Sequence, residues 1–184
     1  YIDTIISPSY TSALAQAIQL PGISGMENNM IIFEYDKRNI TELKDVIDNF
    51  NLTLSGAHDV CIFGSSERSY QPESPIHLWI RSFDHQNSNL MILLSYIILG
   101  HPDWKKSTIK IFEICKPNQK EKTHHDLVEL VKSGRIPITP QNIEIISKDE
   151  AVSSKKLINE KSANAALTII GIRPEHLEIY GMDL

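Results

Sequence analysis

The segment Leu90–Gly100 reads Leu-Met-Ile-Leu-Leu-Ser-Tyr-Ile-Ile-Leu-Gly and is apolar around the whole circumference of a helix. It stops at Gly100-His101-Pro102-Asp103-Trp104, and Asp84-His85-Gln86-Asn87-Ser88-Asn89 precede it. A membrane-spanning helix needs about 20 apolar residues, whereas a run of roughly 10–14 belongs to a buried helix. A helix that is apolar on all sides is covered somewhere. This run is therefore expected to lie inside an α/β domain or in an assembly interface. No other segment is long and apolar enough to span a bilayer.

The remaining sequence supports one domain with a sizeable core: 184 residues, net charge −5. The acidic balance argues against nucleic acid as a main partner, because phosphate binding needs a basic surface. It also argues against broad adsorption to anionic lipid. The pairs Lys105-Lys106 and Lys155-Lys156 are each too short for a basic patch and read as solvated surface. Cys61 and Cys115, the two cysteines, each fall inside an apolar strand-like run. They are expected to be reduced and buried, as in a cytosolic protein, with no disulfide framework. Asn39-Ile40-Thr41 and Asn51-Leu52-Thr53 match the glycosylation sequon, which has no meaning in a cytosolic domain. The chain opens at Tyr1 directly into a strand-like run and closes at Leu184 after a Pro- and Gly-containing tail, so it is expected to be a piece of a longer polypeptide.

Short runs rich in Ile, Val and Phe alternate with longer amphipathic segments. Strands are expected at Asp3–Ser7, Met30–Asp36, Asp59–Gly64, Ile76–Ser82, Thr108–Cys115, Asn142–Lys148 and Ala166–Ile172. Helices are expected at Thr11–Leu20, Ile40–Asn51, Asn89–Leu99, Lys120–Ser133 and Glu150–Lys161. This alternation predicts an α/β fold: a mostly parallel sheet with helices on both faces. The connection from Gly64 to Pro75 has no helical pattern and divides three early strands from four later ones. In a doubly wound sheet it marks the switch point, beyond whose strand ends ligands bind. The bordering loops are Ser7–Thr11 and Ser82–Asn89.

Signals for chemistry are sparse. Neither phosphate-loop signature occurs, and Pro21-Gly22-Ile23-Ser24-Gly25 follows a helix rather than a strand, so it reads as a helix stop. The hydroxyls of Ser7-Pro8-Ser9-Tyr10-Thr11-Ser12 follow a strand and open a helix, where they either cap it or bind an anion. Gly64-Ser65-Ser66 lacks a following helix. In the polar loop Asp84, His85, Asn87 and Ser88, capping by Ser88 or Asn87 is the leading reading, with an acid/base site as the lesser one. The adjacent His124 and His125 diverge by about 100° on a helix and cannot chelate together; His125 and Glu129 share a face but are too few to hold a metal. His101 sits in the helix stop, and His58 and His77 at strand starts have structural roles at the surface or half-buried. Asp45 and Asp48 lie on a charged helix face. No nucleophile motif is present. No catalytic residue, metal ligand or cofactor is assigned, and the chain is not expected to be an enzyme.

Several segments, taken in order, resemble the later part of the cytoplasmic C-terminal domain of cation-chloride cotransporters. Tyr1–Asp36 offers a strand with a Pro-containing turn at Ile2–Pro8, an apolar helix at Ala13–Leu20, a Gly-x-x-Gly turn at Gly22–Gly25 and an Asn-led strand at Asn29–Phe33. Ile76–Phe112 places Ile76 and Trp79 on an Ile-x-x-Trp strand, followed by Asp84, the helix Leu90–Leu99, Trp104-Lys105 and the strand Ile109–Phe112. Leu157–Ile172 is similar to the family's closing helix and strand. Animal members carry a second Trp where Ile80 stands and a Gly-Gly turn where Asp84–Asn89 form a polar loop, which points to a prokaryotic relative; related bacterial proteins are labelled amino-acid permeases. The resemblance implies a regulatory domain with a fold like universal stress proteins, held at the cytoplasmic face of the membrane. Its implied partners are the transmembrane domain of the same polypeptide and a second copy in a homodimer, with transport left to the membrane part. The alternative is a stand-alone nucleotide-binding universal-stress-type protein. Those proteins carry Gly-x2-Gly-x9-Gly-[Ser/Thr]; Gly22 and Gly25 supply the first spacing, but Tyr35 stands where the next glycine belongs.

Overall fold

The computed structural model describes residues 4–22, 26–65, 67, 71–80, 85–133, 138–148 and 153–180. It is a mixed α/β structure with two all-parallel sheets flanked by helices. The chain divides into two compact units. The first comprises Tyr1–Arg68 with Pro174–Leu184, and the second Ser69–Arg173.

The first unit is built on a two-stranded parallel sheet, β1 (Met30–Asp36) and β2 (Asp59–Ser65), with Met30 opposite Asp59 and Asp36 opposite Ser65. A parallel pair needs a crossover. Here α2 (Ile40–Asp48) and α3 (Phe50–Ser55) supply it. Alternate strand residues Ile31, Phe33, Val60 and Ile62 meet Val46 and Leu52 from the crossover and Leu14 and Ile18 from α1 (Tyr10–Ala17) and its C-terminal end. The helix expected over Ile40–Asn51 is thus two, broken at Asn49, whose side-chain Nδ2 donates to the Asp45 carbonyl (2.8 Å). The strand expected at Asp3–Ser7 is absent over Thr4–Ser7, while Asp3 lies outside the described residues. Among the described residues no strand pairs with it to complete a ladder.

The second unit is a four-stranded parallel sheet in the order β5-β4-β3-β6: β3 (Ile76–Ile80), β4 (Ile109–Cys115), β5 (Ile143–Ser147) and β6 (Leu167–Ile170). α4 (His85–Leu99) joins β3 to β4, and α5 (Lys120–Ser133) joins β4 to β5. Both steps run in one direction, so both right-handed crossovers fall on the same face. There Met91, Ile92, Leu127 and Val131 pack on Ile76, Leu78, Ile80, Ile109 and Ile111. The return from β5 to β6 through α6 (Ser154–Lys161) runs the other way and crosses the opposite face, where Lys161 Nζ reaches Glu144 (2.6 Å). All five residues of β3 are buried, as a central parallel strand requires.

The single sheet with a switch at Gly64–Pro75 is corrected by this topology. That connection leads from one sheet to another, and the crossover direction reverses between β3 and β6. A further helix, α7 (Pro174–Tyr180), follows β6 where the sequence showed only a Pro/Gly tail. The helix expected at Asn89–Leu99 begins earlier, at His85. Glu150, the expected start of α6, and Arg81 and Ser82, at the expected end of β3, lie outside the described residues.

Candidate functional site

In parallel sheets the strand C-termini and the helix N-termini share an edge, and ligands gather there. In the first unit that edge is occupied by the chain's own charges. The Asp36 carboxylate accepts from the Arg38 backbone N–H (2.9 Å) and from Arg38 Nε (3.0 Å to either oxygen), and Arg38 also pairs with Glu67. These bonds hold the Asp36 pKa down to about 2. Glu42 Oε2 accepts the Asp36 backbone N–H (3.0 Å), and its Oε1 accepts Asn39 Nδ2 (2.8 Å). The backbone N–H groups of Asp36 and Arg38 are thus turned onto carboxylates.

In the Ser7–Ser12 loop Ser9 caps α1, whereas Ser7 Oγ is buried without a hydrogen bond. Ser9 Oγ accepts the Ser12 N–H (3.2 Å) at the start of α1. Gly22 is needed for close approach, since a Cβ there would lie 2.2 Å from the Met26 carbonyl oxygen; Ile23 to Gly25 lie outside the described residues. Of the expected loop Ser82–Asn89, residues 82–84 also lie outside them. The remainder sits at the β3/β6 reversal, where Asn87 Nδ2 donates to the Ile172 carbonyl (3.3 Å) and Ser88 is buried.

The histidines do not converge. His124 and His125 are exposed on α5, with Glu129 engaging Lys132 (3.1 Å). His101 Nδ1 accepts the Asp103 N–H (3.3 Å). His58 is half-buried beside Gly56, its Nδ1 buried without a hydrogen bond. Asp48 pairs with Lys44 along α2. No cluster of three or more His, Cys, Asp or Glu suited to a metal occurs among the described residues. Both cysteines are free; Cys115 is buried and Cys61 half-buried, with Sγ 3.9 Å from Met30 Sδ.

Two features escaped sequence reading. His77 is buried, rather than superficial or half-buried. Its Nδ1 lies 3.1 Å from Ser162 Oγ, which also accepts Trp79 Nε1–H (2.9 Å). Phe112 stacks on Trp79 and tilts against His77, with ring centroids 4.7 and 4.8 Å apart. Burial first, and Lys110 second, push the His77 pKa below its ordinary value, with Glu144 opposing. Glu113 is also buried, on the same face as Ile109, Ile111 and Cys115. A carboxylate at an inward position of Ile-Lys-Ile-Phe-Glu-Ile-Cys was the available signal for it.

The second feature is the surface of α4. Ile92, Met91, Ser88 and Ser95 are buried, but Leu93, Tyr96 and Ile97 are 52%, 48% and 61% exposed. With Asn89 and Gly100 they form one uncharged stripe at helical spacing. The helix is buried on one side only, so the expected burial inside the domain accounts for that side and not for the stripe. No helix among the described residues is long and apolar enough to cross a membrane.

No family model and no curated protein matches the sequence. Among solved structures the chain is similar to the functionally unknown protein PA1789 from Pseudomonas aeruginosa PAO1. The TM-score is 0.50 at 14% identity, and the match covers 92% of this chain and 59% of that one. The likeness shows the α/β fold expected from the sequence. The chain spans 59% of the length of that neighbour.

Proposed function

We propose that this chain is a regulatory and dimerisation domain of a secondary transporter resembling cation-chloride cotransporters, carrying no transport activity itself. The observation that carries the reading is the exposed stripe Leu93, Tyr96 and Ile97 on α4, the longest helix. A two-fold interface brings the same surface together from both copies. An uncharged stripe does so without opposing like charges, and its apolar side chains gain by leaving water. Three such side chains make a small contact, so the dimer is weak outside a larger protein.

Light scattering across roughly micromolar to millimolar concentrations tests the reading. The mass is expected to rise from 20.8 kDa toward its double, and Leu93→Glu with Ile97→Glu is expected to abolish the rise. A monomer at every concentration would sink dimerisation through α4. The transporter assignment fails separately if the reading frame upstream of Tyr1 lacks apolar runs of about 20 residues. The nucleotide-binding alternative has less support, because Glu42 and Asp36 take the Asp36 and Arg38 N–H groups at the β1 end and add negative charge there. Calorimetric titration with ATP is expected to show no binding, and micromolar affinity would restore that alternative.

A further inference from the structure

The two-stranded sheet of the first unit has one covered face and one bare face. Strand residues alternate between faces. Ile31, Phe33, Val60 and Ile62 turn toward Leu14 of α1, Val46 of α2 and Leu52 of α3. Met30, Ile32 and Glu34 of β1 stand on the other side, paired in that order with Asp59, Cys61 and Phe63 of β2. There Ile32 is 64% and Phe63 46% exposed, beside the half-buried Met30 and Cys61. Burial first, and Asp59 second, push the Cys61 pKa up, so its thiol stays neutral and the patch apolar. A parallel sheet is ordinarily covered by helices on both faces. Here α1, α2 and α3 all serve one.

Charge selects what fits the bare face. Glu34 and Asp59 are exposed at its diagonal corners. Among the described residues no hydrogen bond or ion pair engages either carboxylate. Arg38, just beyond β1, is held by Asp36 and Glu67. Lys37 lies against Gly64, which alternation puts on the covered side. A second copy laid on this face would therefore crowd four carboxylates around one apolar contact, and like charges repel. A helix carrying cations would gain at both corners. The corners are four residues apart along the strands, about 13 Å. That is the rise of about nine helical residues. Met30 adds a side chain that adapts to an irregular apolar surface.

We propose that this face docks an amphipathic helix of a partner protein, with two lysines or arginines about nine residues apart bordering its apolar stripe. The inference does not rest on the transporter reading, and it uses a different surface from α4.

The test uses the whole chain and two synthetic peptides of about 18 residues, long enough to form a helix. One has leucine along one helical face and lysine beside it; the other has glutamate in place of lysine. Fluorescence anisotropy is expected to show the lysine peptide binding about tenfold more tightly than the glutamate peptide. Glu34→Lys with Asp59→Lys is expected to remove that preference. An equal charge change on α5, Glu121→Lys with Asp126→Lys, is expected to keep it. Ile32→Ser with Phe63→Ser is expected to abolish binding, with circular dichroism checking every fold. Amide NMR shifts caused by the lysine peptide are expected on β1 and β2. No binding, shifts confined to α4, or an equal loss of preference in both charge variants would overturn the proposal. Loss of self-association in the serine variant, read by light scattering, would assign the face to a second copy and overturn it too.

Discussion

Ser162 joins two groups 85 and 83 residues away, His77 and Trp79, in one buried polar cluster. A buried histidine with a lowered pKa resists protonation, so acid acts on the unfolded chain first. Its contribution to stability is retained above the unfolded-state value of about 6.5 and lost as pH falls from there toward the lower folded value. Urea denaturation between pH 8 and 5 is therefore expected to show falling stability on the acid side. His77→Gln should flatten that slope, and an unchanged slope in the variant would remove His77 as its source. Nothing local in Lys-Ser-Ala-Asn marks Ser162, because its partners lie on the far side of a crossover. His77, by contrast, stands in the fully apolar frame Ile-His-Leu-Trp-Ile, and its burial follows once β3 is placed at the centre of the sheet.

At the scale of elements, α4 separates two kinds of isoleucine that the sequence makes look alike. Ile92 is 1% exposed and Ile97 61% exposed. A buried unpaired charge costs several kcal/mol, enough to unfold a marginal domain. Ile92→Asp is expected to abolish folding, whereas Ile97→Asp is expected to shift stability by less than about 1 kcal/mol. Circular dichroism and thermal melts decide it; a folded Ile92→Asp variant would refute this packing. The strand runs were legible because parallel strands buried on both faces are nearly continuous in Ile, Val and Phe. The side of α4 left bare was not, since no polar residue on Leu90–Leu99 marks an outer face.

For the whole molecule, alternation of strands and helices gave the α/β class correctly, but not the partition of the six strands among the described residues into sheets of two and four. Partition depends on which strands pair, and pairing between parallel strands leaves no local mark.

The reversal at β3 also has a consequence in time. β6 is synthesised after β3, β4 and β5, yet it fills one flank of β3, with the Ala166 N–H on the Pro75 carbonyl and Leu167 opposite Ile76. A chain emerging from the ribosome holds β3, β4 and β5 well before β6. Until Leu167–Ile170 arrive, the most apolar strand offers an unpaired ladder to any passing chain. This late-arriving strand thus serves as a latch against aggregation.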